Sequence, residues 1–168
     1  MALAWSMDKI GPICRTVEDC ALVFHAIYGP DGKDQSVIDA PFNYDHSIDL
    51  HRITIGYLKA DFDSMPARRR EGDSTLALLR TLGATLVPMA LPHYPANDLS
   101  IILSAEAGAA FEELTRDGRD DQLVRQIKDA WPNVFRLSRF IPAVEYIQAN
   151  RVRYELIQEM ETVLSRVD

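Results

Sequence analysis

Ile53-Thr54-Ile55-Gly56-Tyr57-Leu58 and Ala84-Thr85-Leu86-Val87 decide how this chain folds. Both are short runs rich in β-branched, aromatic and aliphatic residues, and Pro88 closes the second. Between them, Pro66 to Leu82 carries Leu76, Leu79 and Leu82 on one helical stripe, with Gly83 placed to end the helix. Strand, helix, strand over this span predicts a βαβ unit, two parallel strands joined by a right-handed crossover. The fold class is therefore α/β. Parallel strands need helices on their faces, and the flanking sequence supplies several.

Working toward the N-terminus, Asp31 to Asp49 holds Gly32, Pro41 and several Asp and Asn residues and reads as a long surface loop. Before it, Val17, Cys20, Ala21, Phe24, Ile27 and Tyr28 recur at helical spacing. Thr16 can cap that helix, Asp19 occupies the reciprocal capping-box position, and Gly29-Pro30 stops it. Residues 1–15 form an irregular lead-in through Ile10-Gly11-Pro12.

Toward the C-terminus, Asp98 to Arg116 carries the stripe Leu99, Ile102, Leu103, Ala107, Ala110, Phe111 and Leu114 and predicts one helix. A polar stretch, Asp117 to Gln122, precedes a second expected helix over Leu123 to Ala130, with Pro132 ending it. The last element is long, from Pro142 to Leu164, with proline in a favoured first-turn position. Two parallel strands alone leave unpaired edges and a poorly covered face. The pattern thus predicts either strands supplied from elsewhere or a part of a larger fold.

Composition excludes several classes. At 168 residues the chain has the size of one domain, and 47% hydrophobic with 26% charged residues is ordinary globular usage. A formal net charge of −7 opposes general nucleic-acid binding, since phosphate backbones select basic surfaces. The one basic run, Arg68-Arg69-Arg70, is followed at once by Glu71 and Asp73 and reads as a solvated helix face. No stretch reaches the roughly 20 apolar residues of a membrane span, and the start lacks a secretory signal pattern. Cys14 and Cys20 do not make a disulfide framework and are expected as reduced thiols in a cytoplasmic protein.

Few residues are candidates for chemistry. Ser6-Met7-Asp8-Lys9 matches a Ser-x-x-Lys nucleophile pattern, but that pattern needs a helix and Ile10-Gly11-Pro12 follows immediately. His25, His46, His51 and His93 are scattered without metal-ligand spacing, so no metal is expected. Glu106 sits near the apolar stripe of its helix, where a structural hydrogen bond or salt bridge outweighs acid–base work. Tyr146, Asn150 and Arg153 share a helix face and are read as holding neighbouring loops. There is no phosphate-cradling glycine loop and no dinucleotide fingerprint, hence no cofactor is expected.

Several stretches together resemble the amidase-signature family. Ser6-Met7-Asp8-Lys9-Ile10-Gly11-Pro12, followed by Arg15-Thr16-Val17-Glu18-Asp19, is similar to the segment that follows the family's catalytic serines. Ala26-Ile27-Tyr28-Gly29-Pro30-Asp31, the two strand runs, and Val144-Glu145-Tyr146-Ile147-Gln148-Ala149-Asn150-Arg151 extend the likeness along the chain. The resemblance implies a partial amidase-signature fold over 1–168, a single fragment-like domain. It implies hydrolysis of carboxylic amides by a nucleophilic serine, a second serine and a lysine, with backbone N–H groups stabilising the oxyanion. The Gly/Ser-rich stretch of that triad does not occur in these residues, so no catalytic residue is carried over and the chain alone is expected to be incomplete as an enzyme. Ser6 and Asp8 are the substrate-proximal loop residues that the resemblance implies, with a loop-structuring role as the alternative. The expected partner is a small-molecule amide. The other readings are a self-associating module that pairs through an exposed sheet edge to form a homo-oligomer, and a piece of the A subunit of a tRNA-dependent amidotransferase.

Overall fold

Thr85 donates its amide to the Ile53 carbonyl at 3.0 Å and sets the register of a two-stranded parallel sheet. Strand β1 (Thr54–Leu58) lies beside β2 (Thr85–Met89), with Thr54 opposite Thr85 and Leu58 opposite Met89. This computed structural model describes residues 3–34, 37–64 and 69–168, with residues 69 and 70 described by backbone alone. Its described residues form two compact units, Met1–His46 with Ser100–Tyr146, and Ser47–Leu99 with Ile147–Asp168.

The second unit contains the βαβ motif that the strand–helix–strand pattern predicts. Among the described residues, α2 (Lys59–Ser64) and α3 (Arg69–Thr81) lie between its strands. Pro66, where the sequence places the helix start, and Arg68 lie outside the described residues. The end of α3 follows from Gly83, whose φ of +101° is costly for any residue with a Cβ. The Gly83 amide returns to the Arg80 carbonyl at 3.0 Å and the Ala84 amide to Leu79 at 3.1 Å, the paired bonds of a Schellman cap. His51 packs against the same glycine, so an added Cβ would stand 2.6 Å from its ring.

Strand β2 runs to Met89, one residue past the proline that the sequence takes as its end. Because the amides alternate sides and Thr85 faces β1, the missing N–H of Pro88 falls on the outer edge, where it costs no ladder bond. At the other edge, Thr54 exchanges two 3.0 Å bonds with the last residue: Asp168 N–H donates to the Thr54 carbonyl, and Thr54 N–H donates to Asp168 Oδ2.

The first unit is helical. Helix α1 (Val17–Ile27) starts where Thr16 Oγ1 accepts from the Asp19 amide at 3.1 Å, and it gives way to Gly29 at φ +100°. None of its residues is buried, and Val17, Leu22, Val23 and Ile27 are exposed. The single helix expected over 98–116 is instead two, α4 (Ser100–Ala110) and α5 (Glu112–Arg116). They part at Phe111, whose φ of −108° and ψ of +20° leave the helical basin.

The helix expected over Leu123 to Ala130 is absent; these residues are turns and irregular chain. Gln126 Nε2 donates to the carbonyls of Asp120 and Leu123, both at 2.8 Å, and these side-chain bonds compete with helical pairing. The helix begins afterwards as α6 (Trp131–Ser138), with Pro132 inside its first turn. Proline there starts a helix because its missing N–H has no intrahelical partner to lose.

Helices α4 and α6 pack closely over Ile102, Ala107 and Phe135. Gly108 permits that approach, since a Cβ on it would meet Ser138 Cβ at 2.6 Å. Phe111 and Trp131 both stack on Phe135, at 4.6 and 5.7 Å between ring centres. The long helix expected from Pro142 is α7 (Ala143–Leu164), whose first residues belong to this unit and whose remainder belongs to the other.

Candidate functional site

The lead-in is organised by one aspartate. Asp8 Oδ2 accepts from the amides of Leu3 at 2.6 Å and Ala4 at 3.2 Å, while the Ala4 carbonyl accepts from Met7 and Asp8. These bonds wind residues 3–8 into a tight turn around the fully buried Ala4. Ser6 projects from that turn.

Glu106 receives it. The carboxylate is only 3% exposed, on the face of α4 that carries Ile102 and Ala107. Ser6 Oγ donates to Glu106 Oε1 at 2.5 Å and the Ser6 amide donates to Oε2 at 3.1 Å. Tyr146, in the first turn of α7, donates its hydroxyl to Oε1 at 3.1 Å. A buried carboxylate is tolerated only when its oxygens are satisfied, and here three donors from two distant segments satisfy it. Glu106 therefore draws the Ser6 turn and the start of α7 to one point.

The structure thus places Ser6 at a polar cluster and Asp8 inside the loop that builds it. Lys9 does not complete a Ser-x-x-Lys pair: residues 6–9 are turn and coil, and Lys9 Nζ lies 3.3 Å from the Asp8 carbonyl. Of the helix face Tyr146, Asn150 and Arg153, Tyr146 joins Glu106, and the other two belong to the second unit. His25 packs beside the rings of Tyr28 and Phe42, and His51 Nδ1 sits 3.1 Å from Asp49. The backbone N–H and the ring of His51 hold the Asp49 carboxyl below its ordinary range. Among the described residues no three His, Cys, Asp or Glu side chains gather as a metal site, and no helix is long and apolar enough to cross a membrane.

A second polar centre was not singled out by the sequence pattern. Asp120 is buried, and Arg136 Nε approaches its Oδ2 to 2.6 Å, although the N–H direction misses hydrogen-bond alignment. Arg136 also reaches Asp121 at 2.6 Å and Asn133 at 3.0 Å, so it ties the 119–122 turn to α6. The signal was present in the polar stretch beside Gly118, but its partner lies 16 positions away on a helix the sequence did not reveal.

Two open grooves flank α1. One, of about 610 Å³, is walled by Ile10, Phe24, Ile27, Tyr28, Val37 and Phe42, and among the described residues none brings a carboxylate, amine or imidazole to it. The other, of about 450 Å³, brings Glu18 and His25 to an apolar floor. Neither includes Ser6, Asp8 or Glu106.

Comparison with known proteins gives this arrangement a lineage. The Amidase family profile matches residues 1–168. The chain is 36% identical over 116 residues to the A subunit of glutamyl-tRNA(Gln) amidotransferase from Methylorubrum extorquens, covering 65% of this chain and 24% of that protein. It is 35% identical over 126 residues to the protein of the same name from Nitratidesulfovibrio vulgaris, covering 70% and 26%. With the Trichlorobacter lovleyi protein of that name it shares 29% identity over 195 aligned positions, covering the whole chain and 40% of that protein. The chain thus spans between about a quarter and two fifths of the curated relatives it matches. No solved structure matches it with comparable significance. The profile match along its whole length shows that this amidase-related α/β chain is a member of the amidase family.

Proposed function

We propose that residues 1–168 act as one fragment of an amidase-signature domain that hydrolyses carboxylic amide C–N bonds, and that the chain alone does not turn over. The observation that carries this reading is the commitment of Ser6. Its hydroxyl points inward to Glu106 at 2.5 Å, and its amide is fixed to the same carboxylate. That geometry anchors a loop instead of presenting a nucleophile. Amide cleavage also needs a proton acceptor for the nucleophile and donors for the oxyanion, and Lys9 is turned to a backbone carbonyl. In this reading Ser6 and Asp8 shape the loop beside the substrate, which is a small carboxylic amide, in a cytoplasmic protein.

Ammonia release from a panel of aliphatic and aromatic primary amides tests the proposal. The purified chain is expected to release none above the uncatalysed background. Turnover that disappears in Ser6→Ala would overturn it, because Ser6 would then be a nucleophile with Glu106 as its base.

A second reading has specific support. The named relatives are the A chains of an amidotransferase, and α1 leaves Val17, Leu22, Val23 and Ile27 uncovered. Association with a partner chain or with a second copy would bury such a face. Light scattering separates the two: a monomer at all concentrations counts against self-association, including pairing through the sheet edge of β2.

A further inference from the structure

Cys20 occupies the first turns of α1, with its amide bonded to the Thr16 carbonyl at 3.2 Å. Its thiol reaches back across that turn to the Pro12 carbonyl, 3.8 Å away. The 12–15 segment is therefore folded over the side of the helix start from which Cys20 projects. Cys14 lies within that segment and is exposed, whereas Cys20 is partly covered. Desolvation first, and then the neighbouring Cys20 and Asp19, hold the Cys14 thiol above its ordinary range. Both cysteines are free.

We propose that Cys14 and Cys20 are a dithiol that closes reversibly to an intramolecular disulfide, a redox-modification site fastening the 12–15 segment to the start of α1. The oxidant is a low-molecular-weight disulfide such as glutathione disulfide. Cys14, the exposed thiol, attacks one sulfur of the oxidant through the minor fraction that is ionised and releases one glutathione thiolate. Cys20, as thiolate, then attacks the Cys14 sulfur of the mixed disulfide and releases the second. Two protein thiols lose two protons and two electrons, one S–S bond forms, and the oxidant becomes two glutathione thiols. The folded chain favours the second step because Cys20 already faces the segment that bears the mixed disulfide.

The test is equilibration of the full chain with glutathione buffers of varied ratio, read by intact mass and thiol titration, folded and in urea. Folding is expected to raise the effective concentration of the pair about ten-fold or more over the unfolded chain. The oxidised product should be lighter by two hydrogens with no glutathione attached. Cys14→Ser and Cys20→Ser should each stop at a stable mixed disulfide. An effective concentration in the folded chain equal to or below that in urea would overturn the proposal. So would a folded chain that accumulates glutathione on both cysteines.

Discussion

Ser6 and Glu106, one hundred positions apart, share two hydrogen bonds, one from the Ser6 amide and one from its hydroxyl. The pair sits on a carboxylate that is almost wholly buried, so each bond also offsets the cost of taking that charge out of water. Ser6→Ala removes one donor and leaves the amide in place, with an expected loss of about 1 kcal/mol. Glu106→Ala strands the Ser6 donors and the Tyr146 hydroxyl together and should cost about 2–3 kcal/mol. Urea denaturation measures both, and the Ser6 amide should lose hydrogen-exchange protection in the second variant. Unchanged protection there would show that the turn stands without its anchor.

Gly83→Ala tests the end of α3. Its φ of +101° and the His51 ring 2.6 Å from the added Cβ act in the same direction. A destabilisation of about 1–2 kcal/mol is expected. In a double-mutant cycle, His51→Ala should return the steric part and leave the backbone part.

Arg136→Met leaves Asp120 buried without its cation. Breaking a buried pair by removing one partner costs about 3–5 kcal/mol, and the partial exposure of Arg136 places the expectation near the lower end. Replacing Asp120 by Asn in the same chain should recover part of the loss. Thermal melts of the unmodified chain, the single variant and the double variant decide it.

Tyr94 provides a pH-dependent signal. Its hydroxyl donates to Glu159 at 2.9 Å, and that bond, with desolvation and the nearby carboxylates, holds the phenol above its ordinary value of 10.0. A raised folded value means the contribution to stability is complete below the unfolded value and disappears as pH climbs through the folded one. Ultraviolet titration of the phenolate should show a late-titrating component that moves down in Glu159→Gln. A titration curve unaltered by that substitution would remove the assignment.

The βαβ unit was legible because its composition and punctuation are strong. β-Branched, aromatic and aliphatic runs marked β1 and β2, leucines at helical spacing marked α3, and Gly83 marked its end. Pro132 misled for a physical reason: the same ring that ends a helix from within also fits its first turn, and local sequence does not say on which side the helix lies. The break at Phe111 was hidden because the apolar stripe continues through Leu114 while the backbone leaves the helix.

At the candidate site, the position of Glu106 on an apolar stripe was enough to expect a buried, bonded carboxylate. Its donors were not legible. They lie 100 positions upstream and 40 downstream, and spacing rules reach only a few turns. The Asp8 turn escaped for a related reason, since its bonds are side chain to backbone and leave no periodic trace.

The exchange between Thr54 and Asp168 spans 114 positions and has a bearing on synthesis. Both strands and α3 emerge from the ribosome long before the residue that pairs with the outer edge of β1. Residues 100–146, which belong to the other unit, are translated in between. During that interval the β1 edge is bare and open to pairing with other chains, the exposure that makes slow, long-range closure hazardous. The order of translation, and not only the final contacts, therefore sets when this sheet edge is covered: after the codon for Asp168 has been read.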